Sequence, residues 1–311
     1  MSARVAVAVV GATATGKSSL AHAFARQHPG CEIVAADAMA VYRGMDLATA
    51  KPTRAEQAEV RYHLVDVVEP AEPFTVAAWQ GAARAALADV WARGGRALVV
   101  GGTGLYLRSL VDGLAFPGQF PALRAELEER AARGEDLAAL LRAADPQAAA
   151  RIEPTNARRV VRALEVTLGS GRPFSSYGPG LATYGPPRLC QVGLRVPLAE
   201  LDARIEERLT AWVADGLVDE VRALAARPGG LSATARQAVG YRELLDWLEQ
   251  GGSLEAAVAA AVTASRRLAR RQVRWFARDP RIEWFDDPAD AATRLETLVN
   301  DPEGSVRDWD A

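Results

Sequence analysis

Apolar positions open the chain as an unbroken run, "VAVAVV" at 5–10, that leads directly into the glycine-containing "GATATGKS". A short apolar run bounded by turn residues predicts a strand buried on both faces. Its place before the glycines argues against a signal peptide. Helical spacing follows from 16 to 26, with the helix N-terminus facing the glycine loop. "EIVAAD" at 32–37 predicts a second strand that ends on a carboxylate. "AWQGAARAALADVWARG" at 78–94 predicts an amphipathic helix stopped by Gly94 and Gly95, and "RALVVGG" at 96–102 a third strand. Strand–helix–strand order at this spacing predicts a parallel sheet covered by helices.

The pattern then changes. From 112 to 180 it is helical throughout, punctuated by Pro146, Pro154 and Gly169–Gly171, and it closes in a Gly/Pro/Tyr-rich linker at 173–187. "LCQVGLRV" at 189–196 returns to a strand. Helices are predicted over 197–224, 241–251 and 253–279, and a last strand over 281–286. The fold class is therefore α/β: a parallel-sheet core, residues 1–115 and 189–311, interrupted by a mostly helical insertion at 116–188. The tail "DPEGSVRDWDA" at 301–311 is acidic and predicts no element.

Composition narrows the class. Hydrophobic residues make up 49% and charged residues 24%, ordinary values for a soluble globular protein. No apolar run approaches the roughly 18 residues of a membrane span, so no membrane association is expected. Cys31 and Cys190 are far apart, without metal-like spacing. Both read as reduced, which predicts a cytoplasmic protein. His22, His28 and His63 are too scattered for a zinc site. Net charge is −2, so nucleic-acid binding would require local segregation of charge. Of 37 basic residues only Lys17 and Lys51 are lysine. Lys17 lies in the glycine loop, where a slender ammonium fits between phosphates, and Lys51 in "ATAKP" is either a specific position or a chance survivor.

"GATATGKS" between a strand and a helix is a phosphate-binding loop. Its glycines let backbone N–H groups meet an anion, and the helix N-terminus adds partial positive charge. Lys17 adds a full charge, and the Ser18 hydroxyl can ligate Mg²⁺. A P-loop nucleotidase also needs an acid at the end of a nearby strand. "RALVV" ends instead in "GGTGLY". The well-placed acid is Asp37, at the tip of the second strand. Ligands of open α/β sheets sit beyond the carboxyl ends of the strands, so Gly11–Ser18, Asp37 and 101–103 should surround one pocket. Asp37 is a magnesium ligand, a base acting on an acceptor, or a helix cap, and its place opposite the loop favours the first two. This combination fits group transfer from a phosphate-bearing donor.

Residues 262–281, "VTASRRLARRQVRWFARDPR", hold seven arginines and one acid, Asp279. Arg266, Arg270, Arg274 and Arg278 recur every fourth position along one helical stripe, with Arg267 and Arg271 in a neighbouring row and Trp275 and Phe276 interleaved. One reading of this face is binding to a nucleic-acid backbone. The other is pairing with acids such as Glu206 and Glu207. A second basic cluster, "NARRVVR" at 156–162, follows the predicted N-cap Asn156.

Together these segments resemble the tRNA dimethylallyltransferase, or tRNA isopentenyltransferase, family. "GATATGKS" resembles its Gly-Pro-Thr-Ala-x-Gly-Lys-Thr/Ser, and "DAMAVYRGMDLATAKP" at 37–52 its Asp-Ser-x-Gln-x-Tyr-x-Gly-Met-Asp-Ile-Gly-Thr-Ala-Lys-Pro. "VVGGTGLYLRSL", "RRVVRALEV", "RIEERLTAWVADGLVDEV", "QAVGYRE" and "RRLARRQVRWF" resemble its later blocks in order, up to about residue 286. The resemblance implies a P-loop NTPase-like core and dimethylallyl diphosphate, not ATP, in the loop. It implies transfer of the five-carbon group to N6 of adenosine 37, next to the anticodon of tRNA. The donor's diphosphate, with Mg²⁺ on Ser18, would lie on Gly11, Ala12, Thr13, Ala14, Thr15, Gly16, Lys17 and Ser18. Asp37 would take the N6 proton, Thr103 would contact the donor near the breaking bond, and Arg208, or less favourably Arg204, would hold the pyrophosphate. The anticodon stem-loop of tRNA would face four segments. These are Asp37, Ala38, Met39 and Ala40; Arg158, Arg159, Val160, Val161 and Arg162; Gln237, Ala238, Val239, Gly240, Tyr241 and Arg242; and Arg270, Arg271, Gln272 and Arg274. A monomer is expected.

The chain departs from the family pattern at several points. Ala38 and Ala40 stand where it carries Ser and Gln, Ala12 where it carries Pro, Ala48 where it carries Gly, and Arg274 where Thr is usual. The competing reading is a P-loop small-molecule kinase, which also pairs the loop with an acid on the second strand. Such a kinase has no use for the arginine-rich C-terminal helix. A nucleotide-sensing module without chemistry is the third reading, and Asp37 opposite the loop argues against it.

Overall fold

The computed structural model describes residues 4–178, 180–301, 306–307 and 309. Its elements are, in order, β1 (Val5–Val10), α1 (Lys17–Gln27), β2 (Cys31–Ala35), α2 (Arg54–Glu59), β3 (Tyr62–His63), α3 (Val76–Ala92), β4 (Arg96–Gly101) and α4 (Gly104–Val111). Then come α5 (Pro121–Ala132), α6 (Leu137–Ala144), α7 (Pro146–Arg151), α8 (Ala157–Ser170) and β5 (Cys190–Leu194). The chain closes with α9 (Leu198–Ala214), α10 (Leu217–Ala225), α11 (Tyr241–Gln250), α12 (Leu254–Phe276), β6 (Ile282–Phe285) and α13 (Pro288–Val299).

All strands run parallel in one six-stranded sheet, ordered β3-β2-β4-β1-β5-β6. The two-residue period of a strand explains why β1 is apolar at every position. Ala6, Ala8 and Val10 face one core with Trp79, Leu107, Tyr241 and Leu244. Val5, Val7 and Val9 face the other, with Phe24, Ala25, Leu295 and Leu298 of α1 and α13. Every β1 residue is thereby buried. Register sets the carboxyl ends side by side: Val10 lies opposite Gly101 and Ala35 opposite Val100.

The chain divides into two compact units. One runs to Gly113 and resumes at Pro186, and the other is Leu114–Gly185. The second is built from α5 to α8 around Leu127, Leu141, Val161 and Leu164. Asn156 caps α8, accepting from the Arg159 N–H. Glu165, buried at 1% exposure, accepts from the Phe120 N–H at 2.8 Å.

The structure departs from the sequence pattern in three places. The helix expected over 197–224 is two helices, because Gly216 takes φ +104 between α9 and α10, a conformation that costs glycine little. Residues 112–120 are not helical, and the stretch after α8 holds only a short 3₁₀ helix, Phe174–Tyr177. In the tail, part of which lies outside the described residues, Trp309 is buried and packs edge-on against Trp91 at 4.9 Å. An indole outweighs the acidity of its neighbours.

Candidate active site

The loop after β1 bends where sequence demands it. Gly16 takes φ +90 as it enters α1, and Ala14, a non-glycine, is held at φ +65. The N–H groups of Ala14, Thr15, Gly16, Lys17 and Ser18 find no acceptor among the described residues, which leaves them for an anion. Ala12 contributes backbone only. Its side chain is buried with Leu201, Ile205 and Ala269, while its carbonyl accepts from Thr15 Oγ1 at 2.9 Å and Lys17 Nζ at 3.1 Å. Thr13 differs from its neighbours. Its N–H donates to Gln272 Oε1 at 2.8 Å, and its hydroxyl accepts from Arg208 Nη2 at 2.7 Å.

The acid is close by in the same cavity. Asp37 Oδ1 accepts from the N–H groups of Met39 (2.8 Å) and Ala40 (3.3 Å), the turn-capping geometry left open by the sequence. Oδ2 has no hydrogen-bond partner among the described residues. Capping thus uses one oxygen and leaves the other for chemistry. Thr103 Oγ1 accepts from the Ala38 N–H at 3.1 Å, and the Thr103 N–H reaches the Ala36 carbonyl at 3.3 Å. Thr103 therefore fixes the Asp37 turn, and its own hydroxyl proton has no acceptor among the described residues. The two strand ends touch: a Cβ on Gly101 would lie 2.0 Å from the Ala36 oxygen.

Thr13, Lys17, Ser18, Asp37, Thr103 and Arg208 line one cavity of about 830 Å³. Its other walls include Trp212, Val239, Leu268 and Trp275, so charged and apolar side chains share one lining. Burial lowers the Lys17 ammonium to about 8, against the raising influence of Asp37, and the Arg208 cation lowers it further. Burial likewise lowers Arg208, with Asp37 opposing. The guanidinium stacks 4.6 Å from the Trp212 ring, and its buried Nε has no partner among the described residues. Two desolvated cations facing one carboxylate leave a net positive charge that suits an anion. Arg204 touches the same loop at the Ala14 carbonyl, 3.2 Å, while paired to Glu200.

Mg²⁺ beside a diphosphate needs only one or two protein oxygens, because water and phosphate supply the rest. The exposed Ser18 hydroxyl meets that requirement. Among the described residues no cluster of three or more acidic, His or Cys side chains suggests a metal bound by protein alone.

Lys51 is a structural residue. Its side chain is 2% exposed, and Nζ reaches the Tyr42 carbonyl (2.7 Å), Asp46 (2.6 Å) and Asp66 (2.6 Å). It staples the segment that carries Asp37. Glu220 adds to this by accepting from the Asp46 and Leu47 N–H groups and from the Tyr241 hydroxyl.

The candidate RNA-facing residues separate. Val160 and Val161 are each 3% exposed in the core of the insertion, because the face of α8 that packs on α5 and α6 needs them. Ala40 (4%), Ala238 (2%) and Tyr241 (0%) are likewise buried and present no surface to a macromolecule. Arg162 donates to the Pro117 and Gly118 carbonyls and pairs with Glu165. Arg242 is bonded to Glu243. The Arg158 and Arg159 side chains are exposed on α8, without partners among the described residues. On α12 the inner row is spent internally. Arg270 holds Asp202 through both guanidinium nitrogens, and Arg266 binds Glu206, not Glu207. Arg267, Arg271, Arg274 and Arg278 are exposed, their side chains without partners among the described residues, and form the stripe, spaced four, three and four. Met39, Gln237 and Val239 line the cavity. Sequence reading missed Gln272 as a loop contact, along with Trp212, Asp202 and Glu220. Of these only Trp212 left a signal, one turn after Arg208.

Comparison with known proteins gives a consistent result. The family profile described as IPP transferase matches residues 40–279. A tRNA dimethylallyltransferase of Kineococcus radiotolerans is 49% identical over 94% of this chain and 96% of its own length. One of Salinispora arenicola is 48% identical over 90% of this chain and 82% of its own. The crystal structure of a Bacillus halodurans tRNA isopentenylpyrophosphate transferase superposes with a TM-score of 0.69 at 33% identity, covering 96% of this chain and 98% of that one.

Proposed function

Because the chain belongs to the tRNA dimethylallyltransferase family, whose activity is transfer of a dimethylallyl group to tRNA, we propose how its residues divide that reaction. The diphosphate of dimethylallyl diphosphate lies on the free amides of residues 14–18, between Lys17 and Arg208. The five-carbon tail enters the apolar part of the cavity near Trp212, Leu268 and Trp275. Burial of its CH₂-sized units contributes about 0.8 kcal/mol each. The acceptor is N6 of the adenosine beside the anticodon. A stacked base cannot present N6 to Asp37, so it must be extruded into the cavity, at about a few kcal/mol that backbone contacts offset.

The bond from donor C1 to the bridging oxygen breaks, and the oxygen leaves with the diphosphate. N6 forms the new bond to C1, and its proton passes to Asp37 Oδ2. Lys17 and Arg208 oppose the charge that develops on the leaving group. Mg²⁺, held by Ser18 and phosphate oxygens, would add to that neutralisation when bound. The apolar walls keep water from the allylic centre. Arg271, Arg274 and their exposed neighbours on α12, with Arg158 and Arg159 on α8, take tRNA phosphates.

The observation that carries this reading is a single cavity lined by Lys17, Arg208 and Asp37 and walled by indoles. The test is incubation of purified protein with donor, Mg²⁺ and an unmodified anticodon stem-loop. Prenylated adenosine is expected, lost when the metal is chelated. Phosphoryl transfer from ATP to a small hydroxyl compound, without prenylation, would reverse it in favour of a kinase.

A further inference from the structure

We infer that Gln272 is a positioning residue of the donor site, not an RNA contact, and that it fixes the spacing between the two backbone lips of the cavity. The inference rests on the reading that residues 14–18 hold the diphosphate. A carboxamide carries an acceptor and a donor on one rigid plane, and here both are committed. Oε1 takes the Thr13 N–H at 2.8 Å, and Nε2 gives to the Gly102 carbonyl at 2.9 Å. One side chain from the long helix α12 therefore ties the phosphate loop after β1 to the turn after β4. That turn continues into Thr103, which holds the Asp37 turn through Ala38.

The surroundings require glutamine. Gly102 approaches so closely that a Cβ there would sit 2.6 Å from Gln272 Nε2. Thr13 is gripped from its other side by Arg208 of α9. The helices α9 and α12 are themselves joined by the two-pronged pair of Asp202 with Arg270. The donor loop is thus clamped by two helices. An Asn side chain is one carbon too short to bridge. A Glu would keep the Thr13 bond, but it would face the Gly102 carbonyl with no proton to give and add negative charge beside a diphosphate.

The test compares wild type, Gln272→Met, Gln272→Glu and Gly102→Ala. It reads donor KM, inhibition by inorganic pyrophosphate, kcat, and the Kd of an anticodon stem-loop at several salt concentrations. Gln272→Met is expected to raise donor KM and the pyrophosphate inhibition constant about tenfold, the loss of two neutral hydrogen bonds. RNA Kd and its salt slope should stay within twofold. Gln272→Glu should be worse than Met for the donor. Gly102→Ala should reproduce Met, and the double variant should lose little more than either single one, because both break one contact. A raised RNA Kd with a shallower salt slope and unchanged donor constants would make Gln272 an RNA contact and overturn the inference. So would donor constants unmoved in every variant, or equal donor losses for Met and Glu with additive behaviour in the double variant. Failure of pyrophosphate to compete with donor in the wild type would instead sink the reading on which this rests.

Discussion

Lys51→Met removes the cation that staples the Asp37 segment while keeping the side chain's length and apolar stem. The Lys51 ammonium has three protons and three acceptors within 2.7 Å, the Tyr42 carbonyl and two carboxylates. Losing one partner of a buried ion pair costs about 3–5 kcal/mol. Asp46 and Asp66 are 57% and 38% exposed, so water recovers part of their loss, and the lower bound applies. The Tyr42 carbonyl keeps a long bond from the Met45 N–H, 3.4 Å, so its loss is partial. The expected loss is about 3 kcal/mol, or roughly 6–12 °C in melting temperature for a unit of this size. Lys51→Arg should lose nearly as much, because a planar fork does not fit three acceptors converging on a point. The assay is thermal unfolding beside single-turnover transfer at a temperature where both variants remain folded. Transfer should fall together with stability, and stem-loop affinity should change little. A melting temperature within 1 °C of wild type, with transfer abolished, would refute the structural role and make Lys51 part of the chemistry.

Asp37→Asn preserves the Oδ1 bonds to Met39 and Ala40 and removes the free carboxylate oxygen. It should retain stem-loop binding and lose at least about 100-fold in kcat, and near wild-type turnover would remove Asp37 from the chemistry. Replacing Arg271 and Arg274 by Ala should reduce the salt slope of RNA binding by roughly one unit per lost contact. Arg270→Ala should instead lower stability and leave the slope, and the opposite pattern in a salt titration would reverse the assignment. Lys17 has a folded pKa, about 8, below its ordinary 10.5. The cost of its charged form is therefore fully present below pH 8 and fades as pH rises towards 10. Without ligand or metal, Lys17→Met should exceed wild type by at most about 3 kcal/mol at pH 7. The gap in melting temperature should close by pH 10, and a pH-independent gap would show that burial is not its cause.

The sequence alone determined the local frame. The unbroken apolar run at 5–10, the glycines of "GATATGKS" and the carboxylate after 32–36 placed β1, the phosphate loop and Asp37, because short-range sterics and two-residue periodicity act within a few residues. The order of later blocks named the family. Tertiary structure decided what side chains do once elements pack. Arg270 and Arg271 are neighbours in sequence, yet Asp202 of α9 claims one and solvent receives the other. Gln272 reaches across to Thr13 and Gly102, and Lys51 turns inward to a carbonyl and two acids. Tyr241 and Val160 are sealed into cores. A residue's partner is set by which distant element lies within about 3 Å of it, and no spacing along the chain carries that distance.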